Sequence, residues 1–288
     1  MGQEPRARAW RTADATITGM NLRVASVLVC GDTHGDAEWL SRIVLPSARE
    51  RGVDAVLVVG DFGFYREAAT FLRRANLSRR AFGVDVLFLD GNHEEFPYLN
   101  QEIALCRAAG DDDRSPVQLG ESLYYLPRGS RIEIGGAQAA ILGGATSINR
   151  YDLDEGETWF ADEAITEEDL DALGTDRADI LLSHDAPSGW AIKAREDSEL
   201  PETWRRQLPA SREHRVTLRR GYEQVRPRLL IHGHFHVGYE HTSQEEWGAV
   251  TVVGLQKNRY SRWGRVLTSV DGVPVLGPFI DSTGQDCV

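Results

Sequence analysis

Three apolar runs dominate the first third of the chain: Val24–Cys30, Ala55–Val59 and Val84–Leu89. They lack the alternation of a half-exposed strand, so they predict strands buried on both faces. Between the first two, Asp36–Arg51 carries Trp39, Leu40, Ile43 and Val44 at helical spacing, with Pro46 placed to break or kink the helix. Arg66–Arg80 predicts a second helix with Phe71, Leu72 and Ala75 inward, and Glu94–Ala108 a third. This β-α-β-α-β rhythm implies a parallel or mixed sheet. The pattern then changes. Ser122–Leu126, Arg131–Ile134 and Ala137–Leu142 are short strands separated by PRG and GG turns, which predicts antiparallel hairpins. Thr166-Glu167-Glu168-Asp169 predicts a capping box, with Asp in place of the usual Glu, opening a helix through Leu173. Ile180–Leu182, Leu229–Ile231, Val250–Gly254 and Arg265–Val270 complete the strands. No low-complexity linker or repeat divides the chain. The expectation is one domain over residues 22–276, with a flexible leader at 1–21 and a tail at 277–288.

Composition narrows the class. At 288 residues and 41% hydrophobic content, the chain can bury a substantial core. It has no apolar run of about eighteen residues, which argues against a membrane span. The N-terminal arginines are not followed by an apolar segment, so a secretory signal is not expected. Gly2 lacks the serine or threonine that myristoylation requires downstream. Cys30, Cys106 and Cys287 form no metal-spaced pair, and an odd count of this kind fits reduced thiols in the cytoplasm. A net charge of −12 argues against broad nucleic-acid binding but leaves room for a local positive site. Between Lys193 and Arg228 basic residues outnumber acidic ones. They are either a solvated helix face with i,i+4 pairs or a positive rim that draws in an anionic substrate.

The candidate chemistry sits where the apolar runs stop. Asp32 and His34 in GDTHGD, Asp61 in GDFGF, Asn92 and His93 in GNHE, His184 in SHDAP, and His234 and His236 in GHFH each follow a predicted strand. Such positions hold a side chain rigidly while the loop frees its donor atoms. Hard oxygen donors and imidazoles without cysteine suit two divalent metals, and paired metals attack phosphate esters. Asp32 and His34 can face one ion across a single turn. A carboxylate can bridge two ions with one oxygen to each, and Asp61 is the natural candidate. Asn92 adds a neutral oxygen. His232, His214 and His241 read as packed or solvent-facing residues, with a supporting role open for His232.

Five motifs in this order resemble the calcineurin-like metallophosphoesterase superfamily, over nearly the whole chain from about Val24 to Val270. The resemblance implies an α/β fold, a sandwich of two mixed β-sheets flanked by helices, with a dinuclear centre at the strand ends. It implies one metal held by Asp32, His34, Asp61 and His236, and a second held by Asp61, Asn92, His184 and His234. The ions expected are manganese, or else iron, zinc or nickel. His93 matches the histidine that contacts phosphate or protonates the leaving oxygen. Asp90 would orient His93 or simply form the turn before Gly91. A hydroxide between the metals would attack phosphorus in line.

The chain departs from the phosphoserine/threonine phosphatases in having no Arg-Gly after Asp61. Gly143–Arg150 and Gly156–Phe160 instead resemble small bacterial and phage-type metallophosphoesterases, which makes Arg150 a candidate phosphate clamp beside its plainer reading as a surface arginine. Trp159 and Phe160 could wall a base pocket or anchor the loop. The expected activity is hydrolysis of a small phosphate ester, a phosphodiester such as a cyclic nucleotide slightly ahead of a monoester. A phosphomonoesterase or protein phosphatase is the alternative. A noncatalytic protein-binding scaffold is disfavoured because every ligand position is filled, and a nuclease by the acidic balance. No membrane partner is expected.

Overall fold

Val27 and Val29 face one side of their strand, Leu28 and Cys30 the other, and all four are buried. The same parity holds in Ala55–Val59 and Asp85–Leu89. Successive side chains of a strand point to opposite faces, so a continuous apolar run requires cover on both sides. The computed structural model, which describes residues 22–107, 112–190, 192 and 199–287, provides that cover as four layers. Val29, Leu57, Val59, Leu87 and Leu89 meet Ile132, Ile134, Ile141, Leu182 and Ile231 of a second sheet. Leu28, Val56, Val58 and Phe88 meet Leu40, Val44, Phe71 and Leu72 of the flanking helices. On the far side, Leu181, Leu230 and Val252 pack on Leu170, Leu218 and Tyr222. The fold is therefore α/β, two mixed sheets sandwiched between helices.

Among the described residues one sheet has eight strands and the other seven. The eight-stranded sheet has Val27–Cys30, Ala55–Val59, Asp85–Leu89 and Leu123–Tyr125 in parallel at its centre. The seven-stranded sheet has Ala137–Leu142, Ile180–Ser183, Leu229–His232 and Gly248–Gly254 in parallel at its centre. Each parallel run ends on the same edge of its sheet. The loops carrying the five motifs thus emerge together.

Several expectations are corrected. Arg131–Ile134 and Ala137–Leu142 do form an antiparallel hairpin, but Leu123–Tyr125 pairs parallel with Asp85–Leu89 in the other sheet, so the chain changes sheet between these strands. Pro46 does not end its helix: a π turn over Leu40–Val44 precedes Leu45–Glu50 and absorbs the register disturbed by the missing N–H. The helix expected over Arg66–Arg80 divides into Ala69–Asn76 and Ser78–Phe82, with a 3-10 turn at Arg66–Ala68, although Phe71, Leu72 and Ala75 are inward. The tail expected over 277–288 is, in its described residues 277–287, not a plain tail. Val273–Ile280 and Asp286–Cys287 are strands of the eight-stranded sheet, held because Phe279 and Ile280 are buried. The expected leader, 1–21, lies outside the described residues.

The capping box at Thr166 and Asp169 is formed in both directions. Leu208–Val225, an 18-residue helix, carries much of the basic stretch. Its Arg219 pairs with Glu223 and Glu245, Arg220 with Glu167, and Arg215 donates to the carbonyls of Ala186, Pro187 and Trp190. These arginines are tied to the protein's own acceptors. Among the described residues no helix is long and apolar enough to cross a membrane.

Candidate metal centre

Four of the eight non-glycine residues with positive φ among those described are His34 (47°), Asp61 (47°), His234 (65°) and His236 (53°). Such conformations cost on the order of 1–3 kcal/mol each and persist only where the surroundings impose them. Here the loops impose them on one another. The N–H groups of Thr33 and His34 both donate to the Asp61 carbonyl, at 3.1 and 2.8 Å. The His93 N–H donates to Asp61 Oδ1 at 2.9 Å, and the His234 N–H to Asp32 Oδ1 at 3.2 Å. Glycine makes the approach possible. A Cβ on Gly91 would lie 2.2 Å from Asp61 Oδ1, and one on Gly233 would lie 2.2 Å from Asp32 Oδ1.

The result is a convergence of donors. Ligand atoms of Asp32, His34, Asp61 and His236 all lie within 4.8 Å of one another. Asp61 presents Oδ2 to His34 Nε2 at 3.4 Å and Oδ1 to His184 Nε2 at 3.2 Å, so its two oxygens face two different histidines. His184 Nδ1 donates to the Val59 carbonyl at 2.8 Å, which turns Nε2 toward Asp61 and toward Asn92 Oδ1 at 3.3 Å. The His234 ring lies 5.1 Å from that of His184. The structure thus brings together all seven residues expected as ligands.

The donor set fits cations. Asp32 Oδ2 and His236 Nε2 are buried and approach to 2.9 Å in poor hydrogen-bond geometry, and neither atom has another partner. Atoms so placed point to a shared third partner rather than to each other. Burial pushes the Asp61 carboxyl up, but the imidazoles of His184, His93 and His34 outweigh it and hold the group well below the usual range. Burial pulls His184 down, but Asp61 and Asp32 push it up to about 10. His234 is taken by burial down to about 4 and stays a neutral imidazole.

His93 is placed apart. Its imidazole is exposed, 5.7 Å from the His34 ring, while its backbone is pinned to Asp61. Asp90 does not orient it. The buried Asp90 carboxylate accepts from Tyr125 Oη at 2.9 Å through Oδ1 and from Arg128 Nε and Nη2 at 2.9 and 2.7 Å through Oδ2, so both oxygens are already taken. Arg150 stacks 3.8 Å over Trp159, with Nη2 3.4 Å from Glu155, and its contacts among the described residues do not include the Asp61 cluster. Trp159 is buried under it, and Phe160 lies 6.4 Å from Phe96, so both aromatics anchor the loop.

Three residues escaped the sequence reading. Glu94 is buried and accepts backbone N–H groups of Phe62, Gly63 and Phe64 at 2.9 Å and of Gly91 at 3.3 Å, clamping the Asp61 loop to the Asn92 loop. Burial and the Asp61 charge push its carboxyl up to about 7 against the pull of those donors. His214 is not solvent-facing: it is buried, with Nδ1 2.8 Å from Asp185 Oδ2, next to His184. Asn258 donates its N–H to the Asp32 carbonyl at 2.8 Å and its amide to Asp36 at 3.0 Å, closing the GDTHGD turn. His232 is a packed residue, bonded to Tyr239 Oη at 2.6 Å. His241 is half-buried against Trp190 and Tyr239.

A family model described as calcineurin-like phosphoesterase matches residues 25–238. No curated protein matches the chain significantly. Among solved structures, TT1561 of Thermus thermophilus is 17% identical, with 88% of this chain and 98% of that chain covered and a TM-score of 0.47. A hypothetical protein from Thermus thermophilus is 16% identical, with 87% and 96% covered and a TM-score of 0.40.

Proposed function

Because the chain belongs to the calcineurin-like phosphoesterase family, we propose that it hydrolyses small phosphodiesters, cyclic-nucleotide or nucleotide-like, with two divalent ions, manganese first among them. The observation that carries the reading is Asp61, whose two carboxylate oxygens face two different histidines, His34 and His184. Asp32, His34, Asp61 and His236 would hold one ion, and Asp61, Asn92, His184 and His234 the other. When bound, the ions neutralise phosphoryl charge and acidify a water.

The chain's own residues do the rest. The strained turns at His34, Asp61, His234 and His236 fix the donors before substrate arrives, so little reorganisation is left for the reaction. His93, exposed beside His34 and held by its backbone, is positioned to give its proton to the leaving alkoxide oxygen.

The preference for diesters rests on charge. A monoester dianion carries one more negative charge than a diester and calls for an additional cation. After Asp61 the loop instead sends Phe62 and Phe64 into the core, stacked on Phe88 at 4.2 and 5.7 Å, and gives its N–H groups to Glu94. The first basic residue beyond, Arg66, is paired with Glu95 at 2.7 Å. Assay of the purified protein with manganese on bis-p-nitrophenyl phosphate and on p-nitrophenyl phosphate tests the reading. A larger kcat/KM on the diester is expected. Turnover of neither, with metal bound, would refute phosphoesterase activity, and a larger value on the monoester would refute the preference.

A further inference from the structure

Asn92 is the one amide in the ligand set, and an amide can coordinate a cation through its oxygen only. Rotated by half a turn, it would aim an N–H at the ion. Something must hold it the right way round. The Asn92 Nδ2 donates to Ser147 Oγ at 3.1 Å. Ser147 Oγ lies 2.6 Å from Glu163 Oε2, and the Ser147 N–H donates to Glu163 Oε1 at 2.8 Å. Ser147 and Glu163 are each 1% exposed, so water does not compete. A carboxylate accepts only, so the single hydroxyl hydrogen of Ser147 is committed to Glu163. Ser147 Oγ is left with lone pairs alone. It can take an N–H from Asn92 and cannot bond the amide oxygen.

We infer that Ser147 and Glu163 are positioning residues for the metal centre: the carboxylate fixes the serine hydroxyl, and the hydroxyl fixes the Asn92 amide with Oδ1 toward His184. Glu163 is itself anchored, because its carbonyl accepts the Ala145 N–H at 3.0 Å and Arg128 Nη2 at 3.2 Å. The GGATS segment after the strand Ala137–Leu142 therefore supports a ligand carried by a loop of the other sheet. Partners of this kind orient a ligand, and their loss typically lowers metal affinity about tenfold to a hundredfold. The inference rests on the reading of Asn92 as a ligand.

The test is manganese binding by the full chain, measured by calorimetric titration and by the spin-coupled electron paramagnetic resonance signal of a paired centre. Ser147→Ala removes the acceptor. Glu163→Gln keeps the shape but can present an N–H to Ser147, which frees the hydroxyl to bond the wrong end of Asn92. Both variants are expected to keep the first manganese, weaken the second by tenfold or more, and lose the coupled signal at two equivalents. Ser147→Thr, which keeps the hydroxyl, is expected to retain that signal. Variants whose second manganese binds as in the parent chain overturn the inference. So does equal weakening of both ions in step with a lowered melting temperature of the metal-free protein, which marks a merely structural role. A parent chain that binds fewer than two manganese ions overturns the ligand assignment itself, a separate failure.

Discussion

Glu94→Ala is expected to cost the metal-free protein about 3 kcal/mol of stability. The side chain accepts three backbone N–H groups at 2.9 Å and a fourth at 3.3 Å, all buried between the Asp61 and Asn92 loops. An orphaned buried donor costs roughly 1–3 kcal/mol. We take the lower bound of about 1 kcal/mol for each of the three short bonds, because the carboxyl is raised to about 7 and is partly neutral near that pH, and because the cavity left by alanine admits water. Three such terms make about 3 kcal/mol, a large share of the roughly 5–15 kcal/mol that holds a domain together. Glu94→Gln keeps one acceptor oxygen and opposes an N–H to the remaining donors, so it should fall between the parent and alanine. Urea unfolding with chelator present measures the difference without a contribution from bound metal. An alanine variant within about 0.5 kcal/mol of the parent, the range of an ordinary surface change, would refute the clamp.

Other outcomes follow from the same geometry. Gly91→Ala places a Cβ 2.2 Å from Asp61 Oδ1 and 2.8 Å from His184 Cδ2, so manganese affinity should fall tenfold or more in a calorimetric titration. Arg128→Met leaves Asp90 buried without its cation and should cost about 3–5 kcal/mol in urea unfolding. His93→Ala should keep manganese binding but lower kcat about 10²- to 10⁴-fold on a diester with an alkyl leaving group, and far less on a p-nitrophenyl ester, whose leaving group needs no proton.

How much was legible in the sequence depended on where each residue's partners lie. Ala55–Val59, Arg131–Ile134 and Ala137–Leu142 begin and end as their apolar pattern predicts, because burial on a face is written into the strand itself. Tyr239–Glu245 was not legible: it is a polar edge strand with side chains alternately half-buried and exposed. Val273–Ile280 contains Pro274, Gly277 and Pro278, which suppress a strand signal but are tolerated because its outer neighbour, Asp286–Cys287, pairs only with Phe279 and Ile280. The candidate metal ligands were legible because each follows a strand, all but His184 in a short glycine motif. Glu94 and His214 were not, although Glu94 stands inside GNHE. Their partners are backbone N–H groups about thirty residues upstream and the Asp185 carboxylate 29 residues away, and neither pairing leaves a local pattern. Asp90 misled for the complementary reason: it neighbours the site in sequence but turns toward Arg128.

Under the proposed function, Asp61 joins two cation sites into one centre. Manganese content per chain, measured on the parent and on Asp61→Asn alongside diester hydrolysis, tests it most directly. Two manganese ions are expected in the parent, and in the variant loss of the spin-coupled pair together with loss of hydrolysis. A parent chain that hydrolyses diesters with no bound metal, or an Asp61→Asn variant that keeps both the coupled pair and full activity, would contradict it.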